Sequence, residues 1–146
     1  MPALQSMRLS PAMLLFLPFA LLGCSLGQDD PRAGLSCLDD SKECIDSRQA
    51  TLKGMLADKD RGWVKEPASP QAHASGVRLF AYRTQKKELS CEELAAGRRE
   101  ADSAAKSLRS ADAKGLSPAQ IARATMFAAE VSKELSVEMK ARHCKA

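Results

Sequence analysis

The chain reads as an all-α protein: a small bundle of three or four helices that ends in an antiparallel helical hairpin and is stapled by disulfides. Three observations predict this. Apolar residues recur at spacings of three and four through most of the chain beyond residue 37. Polar capping signatures open several of these periodic stretches. Four cysteines fall within the same region. Only six of the 146 residues are aromatic, and Phe16 and Phe19 lie within the first 23, so the core is left to Leu, Val, Ile, Met and many Ala. A chain of this length has room for one such domain.

The first helix is predicted from Asp40 to about Lys59. The Asp40 carboxylate is placed to cap free amides, and Glu43 follows at capping-box spacing. Ile45, Leu52, Met55 and Leu56 share one face, while Asp46, Lys53 and Lys59 fall away from it. Asp60-Arg61-Gly62 ends the helix, and Trp63 and Val64 pack nearby. Residues 67–76, with Pro67, Ser69, Pro70, Ser75 and Gly76, read as a surface loop carrying His73. Val77 to about Lys87 has two readings: Val77, Leu79 and Ala81 alternate as in a strand, whereas Val77, Phe80, Ala81 and Thr84 fit a helix. Helix is the expectation, because no partner strand is evident and a lone strand leaves its backbone unpaired.

The hairpin carries the clearest signals. Ser90 and Glu93 form a capping box for a helix running to about Ala111, with Leu94, Ala101, Ala105 and Leu108 along one side. Gly97 weakens it only slightly. After a turn at Gly115, Ser117, Pro118 and Gln120 combine an N-cap, a proline at the first helical position and a further capping box. Ile121, Ala124, Ala128, Val131, Leu135 and Met139 then form one stripe. So short a connection makes the two helices antiparallel neighbours, and alanines on the facing sides allow close approach.

Ahead of the bundle, Arg8 precedes an apolar stretch from Leu9 to Leu22, roughly 14 residues, too few to cross about 30 Å of hydrocarbon. It reads as an export signal. The stretch closes on Leu21-Leu22-Gly23-Cys24, which resembles the lipobox of bacterial lipoproteins: Leu three before the cysteine and a small residue directly before it. Leu22 is bulkier than the commonest residue at its position. The resemblance covers only the first 24 residues and carries nothing about the activity of the rest. It implies a diacylglyceryl group on the Cys24 sulfur, cleavage between Gly23 and Cys24, an acylated new amino terminus, and a place in the cell envelope. Ser25 after the anchor suits the periplasmic face of an outer membrane better than the inner membrane. On this reading residues 1–23 are a signal peptide, 24–36 a lipidated flexible tether and 37–146 the helical domain. Ser25 to Ser36 holds Gly27, Pro31 and Gly34 and no periodic apolar face, and as flexible chain it spans about 20 Å.

Five cysteines are an odd number for an oxidising compartment, and lipid on Cys24 leaves four: Cys37, Cys44, Cys91 and Cys144. The hairpin puts Cys91 and Cys144 near the base of its two arms. Cys37 and Cys44 cannot pair within one continuous helix, where seven residues separate them by about 10 Å, but they can if the chain before Asp40 folds back. The competing arrangement joins Cys37 or Cys44 to the hairpin.

Sites of chemistry are hard to find. His73, His143, Cys91 and Cys144 lack the short-spaced ligand pairs of a structural zinc site, and no Cys-x-x-Cys occurs. There is no nucleophile elbow and no glycine-rich phosphate loop. The expectation is therefore no enzyme, no metal and no cofactor apart from covalent lipid. Arg78, Arg83, Lys86 and Lys87 flank Phe80 and Tyr82, and a basic, aromatic surface of this kind suits peptidoglycan or an anionic envelope glycan. The blander alternative is a helix with its aromatics in the core and its bases in solvent. The net charge of +4, or +3 once Arg8 is removed, is spread among acids and bases, so nucleic acid is not an expected partner. The expected role is that of a membrane-anchored envelope lipoprotein whose helical domain binds an envelope protein or the cell wall, or serves as a structural component. A basic module, or a periplasmic redox protein or enzyme, are the alternatives.

Overall fold

Serine side chains set most of the helix starts. In the computed structural model, which describes residues 30–110 and 112–145, Ser41, Ser69, Ser90 and Ser117 each accept a hydrogen bond from the amide three residues on, at 3.1–3.2 Å. Each such cap is worth about 1 kcal/mol. They open α1 (Lys42–Ala57), α2 (Pro70–Ser75), α4 (Cys91–Ser107) and α5 (Pro118–Ala141), while α3 (Val77–Gln85) follows α2 through Gly76. Short 3-10 turns cover Ala33–Leu35 and Gly62–Lys65. Among the described residues there is no strand, so the all-α expectation holds and Val77 onward is helical. The leader, the lipobox and Cys24 lie outside the described residues.

The hairpin matches its sequence signals closely. Both capping boxes close: Glu93 reaches back to the Ser90 amide and Gln120 to the Ser117 amide. Leu94 and Ala101 of α4 and Leu108 at its C-cap are buried as expected, Ala104 is buried where the sequence pointed to Ala105, which is half-buried, and Ala124, Ala128, Val131, Leu135 and Met139 of α5 are buried too. Ser132 donates to Asp102 midway along the pair, and the Cys91–Cys144 disulfide closes its base with the Cα atoms 5.4 Å apart. The first helix of the hairpin ends at Ser107 rather than near Ala111.

Three expectations need correction. Residues 67–76 are not all loop. Ser69 and Pro70, read as turn formers, are the N-cap and first residue of α2, since proline's fixed φ and missing N–H cost nothing in a first helical turn. His73 is therefore buried, not on a surface loop. The first helix is capped by Ser41 instead of Asp40, which removes Glu43 from capping-box register. Finally, the stretch read as tether is docked from Asp30 onward. The Gly34 amide donates to Thr51 Oγ1 at 3.0 Å, and a Cβ at Gly34 would lie 2.5 Å from the Ser47 carbonyl oxygen. Only glycine lets this turn approach α1 so closely.

Because Cys37 precedes the cap, it is free to turn back onto the helix. Arg48 gathers the Cys37 and Asp39 carbonyls at 3.1 and 2.7 Å, and the Cys37–Cys44 disulfide joins Cα atoms 5.3 Å apart. Both bridges lie in the Cα range a disulfide tolerates, about 4.4–6.8 Å. The centre of the bundle is α3. It packs against α1, α2, α4 and α5, burying Val77, Leu79, Ala81 and Tyr82 on several sides at once. Where Tyr82 meets α4, Gly97 gives it room: a Cβ there would sit 2.5 Å from the ring.

Candidate functional site

The charged residues singled out in the sequence do not share one surface. Arg78 is only 3% exposed and is the hub of a buried polar centre. Its Nε donates to Glu100 Oε1 at 2.8 Å, and Nη2 reaches Glu100 Oε2. The same guanidinium donates to the Trp63 and Glu66 carbonyls, both at 2.8 Å, which pins the Gly62–Lys65 turn against α3. Burial works against the Arg78 charge, but the Glu100 carboxylate more than offsets it and the pKa is raised. Arg83 pairs with Glu130 and Glu134 at 2.9 and 2.8 Å, and Lys86 with Glu134 at 2.6 Å. These cations hold the Glu134 carboxyl below its ordinary range, the Lys86 hydrogen bond first. Lys87 alone of the four is exposed and without an acidic partner among the described residues. Of the two aromatics, Tyr82 is in the core and Phe80 is not, so the blander helical reading describes Tyr82 but neither Phe80 nor Arg78.

Around Arg78 the rings form a second layer. Trp63 and Tyr82 meet edge to face with centroids 4.7 Å apart, and the guanidinium carbon of Arg78 lies 5.9 Å from the Trp63 ring centre. Trp63 Nε1 donates to the Met55 carbonyl at 3.2 Å, tying the turn to α1 as well. His73, on α2, is 3% exposed. Burial lowers its pKa, partly opposed by the Glu100 charge and reinforced by Arg78. The Tyr82 hydroxyl is fully buried near Glu100 without a well-formed hydrogen bond, and burial first, then the Glu100 charge, pushes its pKa well up. His73, Tyr82 and Glu100 all border one open cleft of about 500 Å³ between the 64–68 segment and α4.

A second concavity, about 380 Å³, runs between α1, α3 and α5 and is mainly apolar. Ile45 and Phe80, both expected in the core, are 36% and 45% exposed and line it with Leu52 and Phe127. Phe80 and Phe127 stack at 6.5 Å, with the Arg83 guanidinium 6.0 Å from the Phe127 ring. The helical period of α3 accounts for this: Leu79 and Tyr82 take its inner side and turn Phe80 outward.

Cys91 and Cys144 are joined to each other, and among the described residues no group of three or more His, Cys, Asp or Glu side chains is arranged to hold a metal ion. Among the same residues no helix is long and apolar enough to cross a membrane. Sequence reasoning missed the burial of His73 and the pairing of Glu100 with Arg78. The available signal was Arg78 between Val77 and Leu79 with Tyr82 four residues on, a charge and a phenol on the inner face of one helix. No family model, no curated protein and no solved structure matches the chain.

Proposed function

We propose that the chain is a lipid-anchored protein of a bacterial cell envelope, held through Cys24, and that its helical domain acts by binding a small molecule or another envelope component, not by catalysis. The observation that carries this reading is the pairing of Cys37 with Cys44 and of Cys91 with Cys144. Two bridges use up the four described cysteines and leave Cys24 as the odd thiol, at the position where the lipobox-like sequence calls for lipid. Disulfides of this kind persist in oxidising compartments such as the periplasm. At about 0.8 kcal/mol per buried methylene, two or three acyl chains form an anchor that does not leave the bilayer unaided. The binding role is supported by the two clefts, one mainly apolar and one bordered by charged side chains of the 64–68 segment and α4.

The test is metabolic labelling with radioactive palmitate in a bacterial host. The wild type takes up label and fractionates with membranes, and Cys24→Ala abolishes both. A wild-type protein that stays unlabelled and soluble overturns the anchor.

A further inference from the structure

Three helices leave apolar side chains open to one groove. Ile45 of α1, Phe80 of α3 and Phe127 of α5 line it together with Leu52, and Ile45 and Phe80 keep much of their surface in solvent. Single exposed apolar side chains are ordinary on a protein surface, whereas a group drawn from separate helices into one concavity marks a place where something apolar is received. The chain has few rings to place: beyond residue 29 the aromatics are Trp63, Phe80, Tyr82 and Phe127. Two of these four line this groove, stacked with their ring centres 6.5 Å apart.

The charge at the groove has one sign. No carboxylate lines it, and its two charged side chains are both arginines. Arg48 is fixed by the Cys37 and Asp39 carbonyls and meets Asp40 at 3.7 Å, so its charge is partly answered. Arg123 is exposed and has no carboxylate within 4.0 Å among the described residues. It sits one helical turn before Phe127, so a molecule resting its apolar part on the rings holds a negative end beside the open cation. The volume, about 380 Å³, lies toward the lower end of ordinary small-molecule sites, about 300–1,000 Å³. A partner helix, about 10–12 Å across with its side chains, needs a broader trough.

We propose that this groove binds a small amphipathic carboxylate, a fatty acid of medium chain length, with its hydrocarbon against Ile45, Phe80 and Phe127 and its carboxylate at Arg123. This deepens the binding role proposed above and rests on it, but it does not depend on the anchor. Loss of palmitate labelling leaves it standing, and failure of the binding test leaves the anchor standing.

The purified full chain, held in a phosphatidylcholine nanodisc or, if it proves unanchored, in buffer, is titrated with octanoate while the Ile45 methyl signals are followed by NMR. Octanoate shifts them saturably. Octanamide, of the same shape but uncharged, binds about tenfold more weakly, and acetate, which lacks the chain, weaker still. Arg123→Gln changes an exposed side chain, keeps its helical circular dichroism and loses about tenfold in affinity for octanoate. Lys87→Gln removes an exposed cation outside the groove and binds as wild type, which separates the site from net charge. Four results overturn the proposal: no saturable shift with octanoate, octanamide binding as tightly as octanoate, wild-type affinity in Arg123→Gln, or an equal loss in Lys87→Gln. An Ile45 shift produced by phosphatidylglycerol in the disc, with no octanoate added, overturns it too, because the occupant is then the bilayer.

Discussion

The α4–α5 seam and the Arg78 centre hold the same bundle together by different means. Along the seam, Ala101, Ala104, Ala124, Ala128, Val131 and Leu135 exclude water, and each contributes in proportion to the apolar area it hides. At the centre, one guanidinium satisfies a carboxylate and two main-chain carbonyls from separate parts of the chain. The seam therefore weakens by degrees as methyl groups are lost. The centre fails all at once, because removing one partner strands a buried charge. Small helical domains with few aromatics gain specificity from the second kind of contact: Trp63 anchors the Gly62–Lys65 turn in the core, and Arg78 fixes its main chain through the Trp63 and Glu66 carbonyls.

The sharpest way to break this comparison is Glu100→Leu. It leaves Arg78 buried without its counter-charge, and the expected loss is about 3–5 kcal/mol. The double variant Arg78→Met/Glu100→Leu recovers part of that loss but not all, since the Glu66 carbonyl loses its Arg78 donor and the Trp63 carbonyl keeps only the Glu66 amide. Urea midpoints of the three proteins decide it. A single variant within about 0.5 kcal/mol of wild type, the range of ordinary surface changes, removes the centre from the list of what stabilises the fold.

The two disulfides extend the contrast. Cys91 and Cys144 are 53 residues apart in sequence and Cys37 and Cys44 only seven. By loop entropy the first bridge is worth about 4 kcal/mol and the second about 2.5. The pair Cys91→Ser/Cys144→Ser is thus expected to lower the global urea midpoint more than Cys37→Ser/Cys44→Ser. Hydrogen exchange separates them further: losing the short bridge speeds exchange in the Ala33–Leu35 turn and the start of α1 while the hairpin stays protected. Equal midpoints, or hairpin amides released by loss of the short bridge, contradict that division.

The same contrast explains what was legible in the sequence. Ser90-Glu93 and Ser117-Pro118-Gln120 act through residues three apart, so the signals and the helix starts agree with the structure, as does the α5 stripe except at its first residue, Ile121, which is only half-buried. The Arg78 centre is assembled from residues 12 to 22 positions from Arg78 in sequence, and no local pattern encodes such a meeting. Its parts were accordingly misread: Arg78 as a surface base, His73 as a loop residue and Gly97 as a mild weakness, when Gly97 makes room for the Tyr82 ring. Ile45 and Phe80 fit an apolar helical face by spacing alone, yet line an open groove, because periodicity says which side of a helix is apolar but not whether another element covers it.

The smallest expected effect concerns His73, which sits where the two regions adjoin. Its pKa is lowered from the ordinary 6.5, by burial above all, so the folded protein accepts the neutral ring more readily than the charged one. The unfolded chain then takes up a proton first as the medium is acidified. The stability due to the neutral ring is whole above about pH 6.5 and declines as pH falls from there toward the lower native value. His73→Gln keeps a hydrogen-bonding side chain but cannot titrate, and so flattens this part of the profile. Urea midpoints taken above pH 6.5 and about one unit below it measure the difference. If wild type and His73→Gln fall in parallel, the acid sensitivity belongs instead to carboxylates held below their ordinary range. Those are Asp39, lowered first by its Ser41 hydrogen bonds, Glu93, where burial opposes but the Ser90 hydrogen bonds and Arg61 prevail, and Glu134, lowered first by Lys86; all three lose their stabilising contribution only at more acid pH.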